Sequence, residues 1–126
     1  MTARNFVLWA AIFGFLGVGA GAFGAHGLTI YFAAHPDLED IFRTGVQYQM
    51  YHTLALIGSA YAVEHYPGRA ARWSGVLFAA GIILFSGALY VLSLANLPIM
   101  GAVAPLGGLA FLGGWLCLGI AAWKGK

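Results

Sequence analysis

Long apolar runs alternate with short polar or turn-forming stretches along the whole chain. A helix needs about twenty predominantly apolar residues to cross the roughly 30 Å hydrocarbon core of a bilayer, and several of these runs reach that length. The pattern therefore predicts a bundle of four transmembrane helices. They are expected at about residues 6–25, 44–63, 73–94 and 103–123.

The stretch between the first two predicted spans has a different character. Residues 28–35 are mostly apolar and include Tyr31 and Phe32, side chains that suit a membrane surface. Pro36, followed by acidic residues, is typical of a helix N-terminus. We therefore expect an interfacial connector, followed by a helix that runs from Pro36 toward Pro67 and is longer than the bilayer core.

Small residues recur along the first predicted span at steps of three and four. This spacing places them on one face of a helix, where a neighbouring backbone can approach closely. The pattern predicts a helix-packing surface. Its members are Ala10, Gly14, Gly17, Gly21 and Gly24.

The composition supports insertion into a membrane. Hydrophobic residues make up 61% of the chain and charged residues 8%, against about 25% charged in soluble proteins. The basic residues form no contiguous patch of the kind that binds phosphates, so we expect no nucleic-acid partner. Cys117 is the single cysteine, which excludes an intrachain disulfide. We interpret residues 1–126 as one all-α membrane domain.

The basic residues are divided unequally between the two sides that four spans define. Arg43 falls on one side, and the remaining basic residues fall on the other. Cytoplasmic loops of membrane proteins carry an excess of lysine and arginine, so both termini are predicted to be cytoplasmic. The residues on the predicted cytoplasmic side are Arg4, Arg69, Arg72, Lys124 and Lys126.

Trp9, Trp73 and Trp123 are interpreted as an aromatic belt at that same inner interface. At 1.5 Å per residue, His26 is then expected about 26 Å and His52 about 20 Å from the inner boundary. Polar side chains of the outer half of the membrane are expected to bond to one another inside the bundle or to meet a partner protein. They are His26, Gln47, Tyr48, His52, Ser86, Tyr90 and Ser93.

Motifs spread over nearly the whole chain resemble those of a known family. They are GAFGAHG at residues 21–27, TGVQYQMYH at 44–52, LFSGALY at 84–90 and APLGG at 104–108. In this order they resemble the domain-of-unknown-function 423 family, small bacterial inner-membrane proteins similar to eukaryotic transmembrane protein 256. The resemblance implies a four-helix fold in the bacterial inner membrane and supplies no catalytic residues.

The candidate chemistry is limited. His26 and His52 would suit a haem held by two histidines, but hydrogen bonds to neighbouring groups account for them as well, and we favour that interpretation. Gln47, Tyr48 and Tyr51 near the interface would suit a quinone or lipid site, although anchoring at the interface is the simpler explanation. No paired-cysteine or His-x-x-x-His spacing predicts a metal site, and no mid-membrane carboxylate or nucleophile motif predicts catalysis.

We therefore expect a non-enzymatic protein without a cofactor. It is predicted to be a structural or accessory subunit that packs in a homo-oligomer or on a larger membrane complex, because flat faces rich in glycine favour helix association. Two alternatives remain open: a small transporter or channel for a small solute, and a haem- or quinone-binding subunit of an electron-transfer assembly.

Overall fold

The computed structural model of the chain describes residues 1–125. Lys126, which was used in the prediction of sidedness, lies outside the described residues. The described part contains helices and turns and no strand. Its elements are α1 (Ala3–His26), α2 (Thr29–Ala34), α3 (Pro36–His65), α4 (Ala70–Gly81), a π-helical segment (Ile82–Ser86), α5 (Gly87–Ala95), a 3-10 segment (Pro98–Ala102) and α6 (Ala104–Lys124).

Three helical stretches are long and apolar enough to cross a membrane. They are α1, the continuous stretch Ala70–Ala95, and Pro98–Lys124. Helix α3 has 30 residues and is long enough, but it is too polar to meet the same criterion of composition. The structure thus confirms an all-helical protein with several candidate spans.

Local interactions explain where the helices begin and where the chain turns. Thr2 and Asn5 form a capping box before α1, in which the Asn5 side chain accepts a 3.0 Å bond from the Thr2 amide. Gly68, with a φ of 102°, allows the tight turn between α3 and α4. The predicted connector contains the short helix α2, and the Tyr31 hydroxyl donates a 2.6 Å bond to the Ser93 carbonyl at the end of α5. That bond holds α2 against the end of the helical core.

The small-residue face of α1 packs against α3, which confirms the prediction from its spacing. A Cβ added at Gly14 would lie 3.5 Å from Thr53, and one added at Gly21 would lie 3.4 Å from Val46. Pairings of the same kind continue at Gly17 and Gly24, which face Met50 and Phe42 respectively. The two helices are therefore antiparallel and in contact along nearly the whole of α1.

Helix α3 is the centre of the molecule. It packs against α1, α4, α5 and α6, and it buries eleven residues, more than any other helix. Phe6, Leu56, Phe78 and Phe111 form the middle of the apolar core. A separate cluster of alanines joins α3, α4 and α6 at the end where the α3–α4 turn lies.

The two ends of the described chain lie at that same end of the molecule. The Arg72 Nε donates a 3.1 Å bond to the Met1 carbonyl, and Gly125 contacts Tyr66. Tyr66 directly follows α3 and Arg72 lies in the first turn of α4. We call this the termini end, and the end that holds α2 and the 3-10 segment the opposite end.

The prediction that Trp9 and Trp73 lie at the same depth in the membrane is wrong. Phe6 packs into the notch at Gly75, and Trp9 shares a groove with Ala79. Since Ala79 lies about six residues beyond Trp73 on α4, Trp9 lies about 9 Å above Trp73 rather than level with it. The fit of Phe6 against Gly75 sets the register of α1, and the aromatic belt does not.

Candidate functional site

The buried face of α3 carries most of the polar groups inside the molecule. Gly45, Gln49, His52, Leu56 and Ser59 are buried on it, at steps of four and three residues. This spacing puts them in one row along a helix. The row faces the other helices, so its side chains must find partners there.

Gln49 joins three helices through its amide. It is 3% exposed; its Nε2 donates a 2.8 Å bond to the Phe13 carbonyl of α1, and its Oε1 accepts a 2.5 Å bond from the Tyr90 hydroxyl of α5. The Thr53 hydroxyl also donates a 2.6 Å bond to the backbone carbonyl of Gln49. A Cβ added at Gly17 would overlap the Met50 sulfur and would lie 3.3 Å from the Gln49 Nε2, so glycine at this level of α1 leaves room for both side chains.

His52 is held on both ring nitrogens and on one ring face. The Trp115 Nε1 donates a 3.0 Å bond to the His52 Nε2, and an indole nitrogen is only ever a donor. The His52 Nδ1 must then carry the proton, which it donates to the Tyr48 carbonyl at 2.8 Å. The imidazole also stacks on Phe111 at 3.5 Å between ring centroids. This neutral tautomer offers no free nitrogen to a metal or haem iron.

Serine bonds connect α3 to the helix that follows the turn. The Ser86 hydroxyl, in the π-helical segment, donates a 2.7 Å bond to the Gly45 carbonyl. Near the termini end, Ser59 and Ser74 lie 2.7 Å apart, and Ser74 donates its own proton to the Ala71 carbonyl. Ser59 is therefore the donor of the pair.

The structure brings together part of the predicted polar cluster. His52, Ser86 and Tyr90 lie on or against the buried row of α3. Tyr48 is 38% exposed and packs beside Phe85 at the edge of the helical core. Ser93 is buried, and its hydroxyl donates to the carbonyl of Leu89 in its own helix.

Gln47 and His26 lie apart from the others. Gln47 is exposed, whereas Gln49 occupies the buried position. His26 is exposed at the end of α1, and its Nδ1 donates a 3.0 Å bond to the Ala22 carbonyl of the same helix. The helical spacing from Gly45 to Ser59 already distinguishes Gln49 from Gln47, so this signal was present in the sequence.

The expected separation of the two histidines in depth is also wrong. Because Gly21 faces Val46 and α1 and α3 are antiparallel, His26 lies level with about residue 41 of α3. His52 is roughly eleven residues further along α3, which is about 16 Å rather than about 5 Å. The structure therefore does not bring the two histidines together.

All buried polar side-chain atoms of residues 1–125 have a hydrogen-bond partner. The same residues contain no group of three or more His, Cys, Asp or Glu side chains placed to hold a metal ion. The ion pair found within them, Arg43 with Glu39 at 2.8 Å, is solvent-exposed. The arrangement fixes the helices to one another by hydrogen bonds.

Comparison with known proteins identifies the family. A family model described as "Protein of unknown function (DUF423)" matches residues 20–108. The chain belongs to this family. It is 45% identical over 96% of its length to the UPF0382 membrane protein YwdK of Bacillus subtilis, covering 98% of that protein. It is 42% identical over 97% of its length to the UPF0382 inner membrane protein YgdD of Escherichia coli K12, covering 92% of it.

More distant members of the DUF423 family match over a similar length. The UPF0382 membrane protein SH2409 of Staphylococcus haemolyticus is 39% identical over 96% of the chain and 97% of its own length. No solved structure matches the chain. The chain is thus a membrane protein of a family whose function is uncharacterised.

Proposed function

We propose that this protein is a non-enzymatic, four-span protein of the bacterial inner membrane that assembles with copies of itself as a structural or accessory subunit. The observation that carries the proposal is that the buried polar side chains form hydrogen bonds inside the protein. Each of those in residues 1–125 bonds to another group of the protein, which supports a role in holding the helices together.

The register of α1 and α3 supports a crossing by α3. The paired positions run from Gly24 with Phe42 to Gly14 with Thr53, and Phe6 and Leu56 share the core further on. If α1 crosses the membrane, the residues of α3 that pair with it lie at the same depths, so α3 crosses the membrane as well. The polarity of α3 does not oppose this, because Gln49, His52 and Ser59 are buried against other helices.

The distribution of charge supports cytoplasmic termini. Arg4, Arg69, Arg72 and Lys124 belong to the termini end, whereas Arg43 belongs to the opposite end. Under the positive-inside rule the termini end faces the cytoplasm. The relative named as an inner membrane protein in Escherichia coli supports the same compartment.

The outer face of α6 is the best candidate for assembly. A Cβ added at Gly108 or Gly119 would meet no atom within 4 Å, so these glycines serve no packing inside one copy. Between them, Leu112 is 67% exposed and Leu116 is 66% exposed. Glycine gaps beside large apolar side chains on one helix suit close packing of a second helix.

Disulfide cross-linking in native membranes tests this assembly. Leu112→Cys, in a Cys117→Ser background, is expected to form covalent dimers on mild oxidation. The matched control is Leu54→Cys on α3, because Leu54 is also 67% exposed. Native mass spectrometry of the unmodified protein should show a defined oligomer. Equal cross-linking at both positions, together with a monomeric mass, would contradict the proposed homo-oligomer.

The π-helical segment favours a second candidate, a small transporter or channel. Such segments often lie at functional sites, and this one includes Ser86 beside the buried row of α3. If the protein is a transporter or channel, vesicles reconstituted with it should show solute flux, and the flux should change in the variant His52→Ala. Unchanged permeability to a broad panel of ions and small solutes would argue against it.

A further inference from the structure

A groove at the termini end combines basic and apolar side chains. Its lining includes Arg69, which directly precedes α4, and Arg72, Trp73 and Val76 of α4, with Met1 at the start of the chain. Arg69, Arg72 and Trp73 are exposed. Within residues 1–125 neither arginine pairs with a carboxylate, and the acidic residue at this end, Glu64, forms no ion pair with them. The groove thus has unneutralised positive charge next to an apolar wall.

A second groove, which is apolar, lies further along α4 toward the middle of the molecule. It lies between α1 and α4 and is lined by Trp9, Ile12, Ala79 and Ile83 among others. Arg72, Val76 and Ala79 of α4 and Ile83 of the π-helical segment follow each other at steps of four, three and four residues. They therefore share one face of the helical stretch Ala70–Ala95. We call the two grooves together the α1–α4 seam.

The dimensions of the seam match one leaflet of a bilayer. Arg72 and Ile83 are separated by about eleven residues, or about 16 Å along the helical stretch Ala70–Ala95. Half of the roughly 30 Å hydrocarbon core is about 15 Å. The arginines therefore lie at the level of lipid headgroups when Ile83 lies near the middle of the bilayer.

We infer that the α1–α4 seam binds an anionic phospholipid, with the headgroup phosphate at Arg69 and Arg72 and one acyl chain along the apolar part. Guanidinium groups bind phosphate through paired, charge-assisted hydrogen bonds. Basic pockets between transmembrane helices on the cytoplasmic side are a known type of headgroup site. A zwitterionic lipid would fit the apolar wall but carries a cationic group, which the arginines repel.

This inference rests on the proposed membrane insertion of α1 and α4, and it depends on neither the sidedness nor the assembly. The first measurement is native mass spectrometry of the full chain titrated with phosphatidylglycerol or phosphatidylcholine, because it reports lipid adducts on monomers and oligomers separately. We expect phosphatidylglycerol to bind more tightly. The double variant Arg69→Gln/Arg72→Gln should weaken this binding about thirtyfold, since each basic residue at a membrane surface contributes about 1 kcal/mol.

The matched control is Arg43→Gln at the opposite end, which should leave binding of phosphatidylglycerol unchanged. A second measurement follows the acyl chain by quenching of tryptophan fluorescence with brominated lipids at low mole fraction. Brominated phosphatidylglycerol should quench more than brominated phosphatidylcholine. Trp9→Phe/Trp73→Phe should lose this excess, whereas Trp123→Phe, at an 86% exposed position away from the seam, should keep it.

Three results would overturn the inference. They are equal affinity for the two lipids, an unchanged affinity in Arg69→Gln/Arg72→Gln, and cross-linking of Ile83→Cys between two copies, which would show that a second copy occupies the seam. Thermal unfolding of the arginine variant in phosphatidylcholine should match the wild type, so that a loss of binding is not a loss of fold.

Discussion

Single side chains decide how a polar helix is stabilised inside this protein. The Gln49 amide uses its donor on α1 and its acceptor on α5, and His52 uses both ring nitrogens. An unpaired buried polar group costs about 1–3 kcal/mol, which is more than a typical net hydrogen bond contributes. Each of these bonds is therefore testable by removing one partner.

Tyr90→Phe removes the hydroxyl that bonds to the Gln49 Oε1 and leaves that oxygen buried. We expect the free energy of unfolding to fall by about 1 kcal/mol. Titration of the protein in mixed micelles with a denaturing detergent measures this. Tyr51→Phe is the control, because Tyr51 is 55% exposed and should change stability little. Equal effects at both tyrosines would mean that the bond to Gln49 stabilises nothing.

The bond between Trp115 and His52 calls for a double-mutant cycle, because Trp115 also packs edge-on against Phe78 at 4.9 Å. We expect Trp115→Phe and His52→Phe to be coupled by about 0.6 kcal/mol, and by no more than about 1.7 kcal/mol, the average and the maximum measured for interhelical hydrogen bonds by such cycles in a membrane protein. The same unfolding titration of both single variants and the double variant gives this value. Additive effects would show that packing alone joins the two rings.

The sequence contained enough information to place Gln49 but not Trp115. Gln49 shares a helical face with Gly45 and His52, so spacing alone favours it over Gln47 as the buried residue. Helix α6 is apolar on all sides, and no pattern in its sequence shows which face turns toward α3. The partner of His52 could therefore not be predicted, because the rotation of α6 is fixed by contacts such as that of Gly114 with Phe78.

At the scale of elements, glycine sets how closely α6 approaches the π-helical segment. A Cβ at Gly107 would overlap the backbone nitrogen of Phe85, whereas one at Gly108 would meet nothing within 4 Å. The two adjacent glycines thus differ only in what lies against them. Backbone cannot move aside as a flexible side chain does, so the contact at Gly107 tolerates no added atom.

Gly107→Ala is expected to push α6 away from the π-helical segment and to lower the free energy of unfolding by about 1–3 kcal/mol, the usual cost of overpacking. In monomeric protein, Gly108→Ala should instead raise it by up to about 1 kcal/mol, because alanine favours the helix over glycine and nothing within one copy lies against this position. Unfolding titration of the two variants side by side measures the difference. If the free energy of unfolding changed in the same direction in both variants, helix propensity and not packing would dominate.

Element positions were largely predictable, and one feature of their geometry was not. Residues 6–25 and 44–63 lie within α1 and α3, residues 73–94 run through α4, the π-helical segment and α5, and residues 103–123 cover most of α6, because length and apolar character are local properties of the sequence. The π-helical segment Ile82–Ser86 interrupts a run that reads as regular helix. Its sequence has no proline or other helix breaker, and the bond from Ser86 to Gly45 that accompanies it depends on a partner distant in the chain.

For the whole molecule, the central question is whether α3 crosses the membrane. Composition alone does not identify α3 as a span, because Gln49 and His52 make it polar although both are buried against other helices. Burial is a property of the folded molecule, so the polarity of α3 is compatible with a central membrane helix. The error in the depth of Trp9 has the same origin, since packing rather than residue type sets helix register.

Cysteine accessibility decides the path of α3. Glu39 and Glu64 lie near its two ends, about 37 Å apart along the helix, which exceeds the roughly 30 Å hydrocarbon core. In a Cys117→Ser background, we expect Glu39→Cys to react with a membrane-impermeant thiol reagent added to intact cells. Glu64→Cys should react only after the inner membrane is permeabilised. Labelling of both residues from one side would show that α3 stays on that side, which would leave three spans and place the two termini in opposite compartments.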